Sequence, residues 1–596
     1  MISTGKIRNF SIIAHIDHGK TTLTDRLLRA TNTVSARLLE ERMMDSNPIE
    51  KERGITIKLA PVRMMYSLDG VEYELNLIDT PGHVDFGYEV SRSLAACESC
   101  LLVVDATQGI QAQTLSNFEK ARGLGLKVVP VINKIDLQNA DPDQVALDLM
   151  DTFGFTEHEI LKVSAKTGLG VDELVKQLVL QTPAPSGDAK KPLRVLVFTS
   201  KYDAHKGVVA YVRVVDGVLK REQLHLLATG TSFMPTELGV FKPQMEEVKE
   251  LTAGEVGYIA TGLKDVSLVR VGDTVTTARD REIVTALPGY KEPQPIVYMD
   301  FYPVDGDDYV LLVDAIGKLT LDDSAIKYQA THSKALGNGL RVGFLGILHA
   351  EIVQERLERE FDLDLIATSP SVPYEITMTT GETKIIHNPT ELPDPAQIRV
   401  YAEPMTTTTI FTPKDYLGAV MKLCEDHRAE LKELVDAGTR EKLVYEFPLS
   451  ELIVNFHGEL KSISSGFASV EYELSGYRPV DACRMDVLVT HEPVEALSQI
   501  LLKSQVDGIG RRLVKKLKEV IPKQNFEVSI QAAVGGKIIA SETISAYRKD
   551  VIAKLYGGDQ TRKDKLLKKQ KKGKKRMKEF GRVSLPQEAF LAILER

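Results

Sequence analysis

Residue types suited to phosphate chemistry are concentrated in one short run, Ala14-His15-Ile16-Asp17-His18-Gly19-Lys20-Thr21-Thr22, between an apolar strand-like segment (Phe10 to Ile13) and a helix-like one (Thr22 to Leu28). Backbone N–H groups at a helix start converge on an anion, so the loop reads as a phosphate cradle. Lys20 can reach the β- and γ-phosphates, and the Thr21 hydroxyl is placed to ligate Mg²⁺. Ala14 stands where the strict pattern has its first glycine, and alanine is the smallest alternative, so the loop is a variant of that pattern. Asp17, His18, Gly19, Lys20, Thr21 and Thr22 are the phosphate-side candidates. Alone they imply a bound nucleoside triphosphate and nothing finer.

Four further stretches decide which nucleotide and what happens to it. Asp79-Thr80-Pro81-Gly82 ends the apolar run Glu74 to Ile78, so Asp79 emerges at the carboxyl end of a strand, where open α/β sheets place their ligands. Its carboxylate can hold Mg²⁺ through water, while the Gly82 N–H can approach the γ-phosphate. Asn133-Lys134-Ile135-Asp136 follows the run Val128 to Ile132. A carboxylate at Asp136 can accept from guanine N1–H and the N2 amino group, a pair of donors that adenine lacks. Asn133 can tie loops together, and the Lys134 stem can cover the base. Ser164-Ala165-Lys166 offers backbone N–H groups for guanine O6. In Arg53-Gly54-Ile55-Thr56-Ile57, Thr56 is placed to reach Mg²⁺ and the γ-phosphate when the triphosphate is present, which would make the segment a switch together with Asp79 and Gly82. The metal candidates are therefore Thr21, Thr56 and, through water, Asp79. His83 is the candidate catalytic residue that positions the attacking water, with Ile16 and Ile55 flanking it as an apolar gate. A P-loop kinase or ATPase is opposed by Asp136.

The elements that must carry these residues are legible as a multidomain chain. From Asn9 to about Pro185, short Val/Ile/Leu-rich runs, including Leu101 to Val104 and Ile160 to Val163, alternate with helical patterns, as expected of an α/β domain with a mostly parallel sheet. Alternating segments such as Val208 to Val215, each closed by a turn, suggest an antiparallel β-barrel next. Two strand-helix-strand-strand-helix-strand patterns follow, each fitting a ferredoxin-like split βαβ unit, with Leu417, Val420, Cys424 and Leu431 as a helical stripe in the second. Only about 25 residues, Ser371 to Gln397, connect them. A last unit mixes strands with a helix from about Pro493. The expected domains are 1–186, 190–285, 292–370, 396–481 and 482–596.

Composition restricts the partners. Four scattered cysteines are no disulfide framework, and Cys97-x-x-Cys100 lacks a second pair for zinc, so both read as buried small residues. No apolar run approaches the ~18 residues of a membrane span, and no signal peptide is recognisable, which places the chain in the cytoplasm. The whole-chain charge is −8, yet 12 Lys/Arg and two acids between Arg562 and Arg582 give a local +10, leaving −18 on the rest. A basic tail on an acidic body suits RNA, with anionic lipid as competitor. Arg511, Arg512, Lys515 and Lys516, and in the tail Lys568, Lys569, Lys571, Lys572, Lys574, Lys575 and Arg576, are the RNA-binding candidates.

The motifs together resemble those of the translational GTPases, similar to elongation factors Tu and G, through Arg53-Gly-Ile-Thr56 and Asp79-Thr-Pro-Gly-His83. Glu403-Pro404 and Thr412-Pro-Lys-Asp-Tyr-Leu-Gly418 resemble the start of the last domain of elongation factor G, so the likeness covers about 480 residues. The short 371–397 connection leaves no space for the domain with which that factor reaches the decoding centre, and the segment after Ala482 is foreign to it. That combination resembles the elongation factor 4 (LepA) family. The resemblance implies GTP-dependent binding to the ribosome (rRNA and ribosomal proteins), ribosome-stimulated hydrolysis to GDP and phosphate, and one-codon back-translocation of tRNAs on improperly translocated ribosomes. It further implies a monomer that associates peripherally with the cytoplasmic face of the cell membrane. The residues themselves also suit an assembly or initiation factor whose hydrolysis times its release.

Overall fold

The computed structural model describes residues 3–34, 48–53, 56, 59–81, 84–203, 205–288, 294–323, 325–333, 336–437 and 440–547. Its first sheet has six strands in the order 60–68, 71–79, 7–14, 99–105, 127–133 and 161–162, all parallel except the outermost hairpin 60–68/71–79. Burial on both faces explains the continuous apolar runs. Phe10 and Ile12 pack with Leu23, Leu27, Leu174 and Leu178 of two helices on one side, and Ile13 packs with Val90, Leu94 and Phe118 on the other. The run expected over 160–163 contributes only Leu161–Lys162 to the sheet. Cys97 and Cys100 are buried in separate apolar clusters, burial pushes both thiols up, and the described residues contain no metal-binding cluster.

An antiparallel, barrel-like eight-stranded sheet follows, beginning with the paired strands Arg194–Asp203 and Gly207–Asp216 around a Val/Leu core. It is docked on the first domain by the Asn9 amide, which donates to Gly254 O at 3.0 Å, and by the Arg213–Glu98 ion pair. The third unit is a four-stranded antiparallel sheet, ordered 327–333, 337–344, 297–303 and 365–367, with helices Tyr309–Asp322 and Ile347–Phe361 packed on its core. The fourth is built on the long strand Ile398–Pro413, flanked by Arg440–Pro448 and Ser469–Val480.

Three expectations need correction here. The 371–397 stretch is more than a connection, because the hairpin Tyr374–Met378/Thr383–Ile386, turned by Gly381 at φ +89°, adds two strands to the fourth sheet. Leu431 is not on the helical stripe. The helix ends at Asp426, Arg428 takes a left-handed conformation (φ +62°), and Leu431 then lies on the strand Glu430–Ala437, 41% exposed. The last helix does not begin near Pro493, which sits in a two-residue strand, but at Val506, and runs to Val520 across the strands 482–489 and 528–534. No described helix is long and apolar enough to cross a membrane.

One interface joins the fourth unit directly to the first. Helix Ala112–Gly123 receives Ser469 Oγ at the Ala112 N–H (2.8 Å), and Ser116 Oγ donates to Glu471 (2.5 Å). Arg440, buried there, donates to Gln108 O (2.5 Å), Phe467 O (2.8 Å) and Gln111 Oε1 (3.1 Å). An Arg440→Met variant takes the Arg440 donor from Phe467 O and leaves Gln108 O only the 3.4 Å contact from Gln111 Nε2, at about 1–3 kcal/mol for a stranded acceptor. Backbone amide exchange over 108–112 and 467–471 is expected to rise clearly in the full-length variant, and unchanged protection would contradict this view of the interface.

Candidate functional site

Strands 71–79, 99–105 and 127–133 of the first sheet end at Asp79, Asp105 and Asn133, with strand 7–14 between the first two, so polar side chains flank the loop 15–19 at the carboxyl end of the sheet. Parallel packing dictates this, because strands in common register release their last residues at the same edge. The loop enters the helix Lys20–Ala30 through Gly19 at φ +89°. A Cβ at Gly19 would lie 2.4 Å from Asn133 Nδ2, so a side chain there is excluded twice, by conformation and by contact.

Lys20 is the centre of the arrangement. Its Nζ donates to Asp79 Oδ1 at 2.9 Å and to Thr56 Oγ1 at 3.2 Å, all three residues being buried. The start of the helix after the loop 15–19, the end of a neighbouring strand and residue 56 therefore meet on one ammonium. Asp79 Oδ2 is buried without a hydrogen-bond partner. A buried carboxylate oxygen aimed into such a site fits the water shell of Mg²⁺, and Thr21, half-buried on the first helical turn, and Thr56 complete an all-oxygen donor set of the type that ion prefers.

A second set of contacts fixes the base side. Asn133 Nδ2 donates to His18 O at 3.0 Å while its Oδ1 accepts from Ala165 N–H at 3.0 Å, so one amide ties the phosphate loop to the 164–166 loop. Lys134, at φ +64°, stretches back to Asp17 O (2.6 Å) and to Asp105 Oδ2 (2.7 Å). Ile135 packs in an apolar cluster beneath, and Asp136 stands exposed, its carboxylate open to a base. Ser164 is buried with its Oγ accepting from Thr167 N–H at 3.1 Å, and Lys166 is exposed. The backbone of this loop is held from below by Arg26, whose Nε donates to Ala165 O at 2.9 Å.

His18 takes a different place from the one its position in the loop suggests. Its ring is fully buried against the strand 99–105, with Nδ1 3.3 Å from the Asp105 N–H, and burial pushes its pKa well below the ordinary value, so it stays neutral. Its N–H closes a turn onto His15 O. What it offers the site is the carbonyl that Asn133 holds. Asp17 and Thr22 are exposed, and the Ile16 N–H donates to Gln113 Oε1 at 3.3 Å.

Ile55, Gly82, His83 and the tail residues Lys568, Lys569, Lys571, Lys572, Lys574, Lys575 and Arg576 lie outside the described residues. Of the remaining basic candidates, Arg511, Arg512 and Lys515 are exposed and Lys516 half-buried on helix Val506–Val520, whose Leu513, Val514 and Leu517 face the core. Three site residues are absent from the motifs: Asp105, Arg26 and Gln113. Asp105 carried a usable signal, since it ends an apolar run just as Asp79 and Asn133 do. Arg26 and Gln113 act through contacts with no sequence pattern.

Comparison with known proteins gives four family matches along the chain: the elongation factor Tu GTP binding domain over residues 5–184, elongation factor Tu domain 2 over 207–276, the elongation factor G C-terminus over 400–488, and the GTP-binding protein LepA C-terminus over 489–595. The chain is 52% identical to elongation factor 4 of Acetivibrio thermocellus over 595 residues, covering 99% of this chain and 98% of that one. It is 50% identical to elongation factor 4 of Bacillus subtilis over 594 residues, covering 99% and 97%. A crystal structure of a Thermus thermophilus protein shares the fold at a TM-score of 0.59 and 19% identity, covering 80% of this chain and 97% of that one.

Exchanging the Asp136 carboxylate for an amide tests the base side. In Asp136→Asn the guanine N2 amino group loses its acceptor, whereas the C2 carbonyl of xanthine gains a donor. GTP affinity is expected to fall about 100-fold, with xanthosine triphosphate becoming the preferred ligand in competition titrations. GTP binding within about twofold of wild type would remove Asp136 from the site.

Proposed function

Because the chain belongs to the elongation factor 4 (LepA) family and is a translational GTPase, we propose that its Mg²⁺-dependent GTP cycle sets when it binds the ribosome and when it leaves. The observation that carries this reading is the convergence of Thr56 and Asp79 on Lys20 Nζ, which puts two sequence-distant segments on one phosphate-binding nitrogen. In the proposed cycle Lys20 holds the β- and γ-phosphates, and Thr21, Thr56 and, through water, Asp79 would hold Mg²⁺, which would supply charge neutralisation at the phosphates. The Gly82 N–H contacts the γ-phosphate. Asp136 accepts from the guanine edge, Asn133 keeps the two loops in register, Lys134 covers the base, and Ser164, Ala165 and Lys166 present N–H groups to O6.

His83 then orients the attacking water, with Ile16 and Ile55 excluding bulk solvent until ribosomal RNA presses the segment into place. Loss of the γ-phosphate removes one of the groups that would hold Thr56, and the factor dissociates. The output we propose is one-codon back-translocation of tRNAs on improperly translocated ribosomes, carried out by a monomer. The connection 371–397 with its hairpin 374–386, which joins the third unit directly to the fourth, and the exposed Arg511, Arg512 and Lys515 on helix Val506–Val520 support this output. The lysine-rich tail, 568–576, is read as an RNA contact, with anionic lipid as its other polyanionic surface.

A His83→Ala variant is expected to bind GTP as wild type does while ribosome-stimulated turnover falls about 100-fold or more. Stimulated turnover near wild type would remove His83 from its role.

A further inference from the structure

Helix Ile347–Phe361 of the third unit begins without a cap of its own. Its N-cap position is Gly346, which has no side chain, and the first turn carries no acid. The first N–H groups of a helix need an acceptor. It comes from another domain: Asp85 Oδ2 accepts from the His349 N–H, the third residue of the helix, at 3.2 Å. That is the amide an N-cap side chain ordinarily serves, here served in trans. Asp85 is 7% exposed, and its charge sits at the positive end of the helix dipole. Gly346 makes the geometry possible, since a Cβ there would lie 2.2 Å from the Asp85 carboxylate.

The surroundings brace this contact. Phe86 packs on Ile49 and Ile352, and its ring centre is 5.8 Å from that of His349. His349 Nε2 lies 3.0 Å from Asp323 Oδ2, and Tyr88 Oη donates to Asp323 Oδ1 at 3.3 Å. The helix Pro48–Arg53, which leads to Thr56, sits on the same surface through Arg53 to Glu351 (3.0 Å) and Glu355 (2.8 Å) and Glu52 to Arg359 (2.7 Å). These ion pairs are partly exposed and individually weak, whereas the Asp85 contact is buried. Asp85 lies two residues after His83 and six after Asp79 in sequence.

We propose that Asp85 is a positioning residue for GTP hydrolysis, fixing the segment that follows Asp79 to the third unit by capping helix Ile347–Phe361 in trans. Motion of the third unit and placement of that segment are then one event. The inference rests on the ribosome-stimulated reading above, and the wild-type chain separates the two. Absence of stimulation in wild type counts against that reading, and intrinsic turnover of the same variants then tests Asp85.

The test uses the full-length chain with ribosomes. Asp85→Ala and Gly346→Ala, which attack one contact from its two sides, should each lower kcat for GTP turnover about tenfold, with KM within about twofold of wild type. Asp85→Asn keeps an acceptor oxygen and should return kcat to within about threefold of wild type. The double variant Asp85→Ala/Gly346→Ala should be no worse than either single change. Amide exchange at His349 should be faster in Asp85→Ala, with circular dichroism unchanged. Wild-type kcat in Asp85→Ala, equal losses in Asp85→Ala and Asp85→Asn, additive losses in the double variant, or unaltered exchange at His349 would each overturn the proposal.

Discussion

A buried ammonium must be paired, and in this protein Lys20 finds its partners in two other parts of the chain. The Lys20–Asp79 pair has side-chain exposures of 8% and 0%, and Thr56 occupies a further donor position on the same nitrogen. Removing either member of the Lys20–Asp79 pair would strand a charge in the interior, a loss of about 3–5 kcal/mol. The positions of the strand 71–79, of the loop 15–19 and of residue 56 are therefore not independent. In the proposed cycle a γ-phosphate is itself a partner for Lys20, so nucleotide chemistry acts on an interaction that these segments share.

The rest of the architecture reads as two routes leading away from that nitrogen. On one side, Asp85 and Arg53 fasten the neighbouring segments to helix Ile347–Phe361 of the third unit. On the other, Gln113 accepts from the Ile16 N–H of the phosphate loop, while the start of the same helix, 112–123, is gripped by Arg440 and Ser469 of the fourth unit. Both contacts use groups at helix N-termini, where unsatisfied N–H groups make position and orientation specific. The two split βαβ units are thus each tied to a different rim of the nucleotide site, and the basic helix Val506–Val520 lies beyond them.

Much of this architecture is legible in the residues alone. The sheet residues of the first domain are buried on both faces, which leaves an uninterrupted apolar signal, and parallel register gathers the polar residues that end those strands, Asp79, Asp105 and Asn133, at one edge. The loops at Asn133 and Ala165 likewise follow from strand ends. What escapes such reading has a common physical cause, namely that its determinants are non-local. Leu431 continues a 3.6-residue period in sequence, but the left-handed turn at Arg428 converts it to a strand residue. The hairpin at 374–386 gains its partners only from Ile398–Pro413. Arg26 supports the 164–166 loop across 139 residues, and Asp85 caps a helix 264 residues away. No period or spacing encodes such pairs.

We propose that the nucleotide, through Lys20 and the segments gathered on it, decides whether the basic end of the molecule engages the ribosome. Co-sedimentation of the full-length chain with ribosomes, in a non-hydrolysable GTP analogue and in GDP at the same salt concentration, tests it most directly. Retention with the analogue and release with GDP are expected. Equal retention in both nucleotides would contradict it.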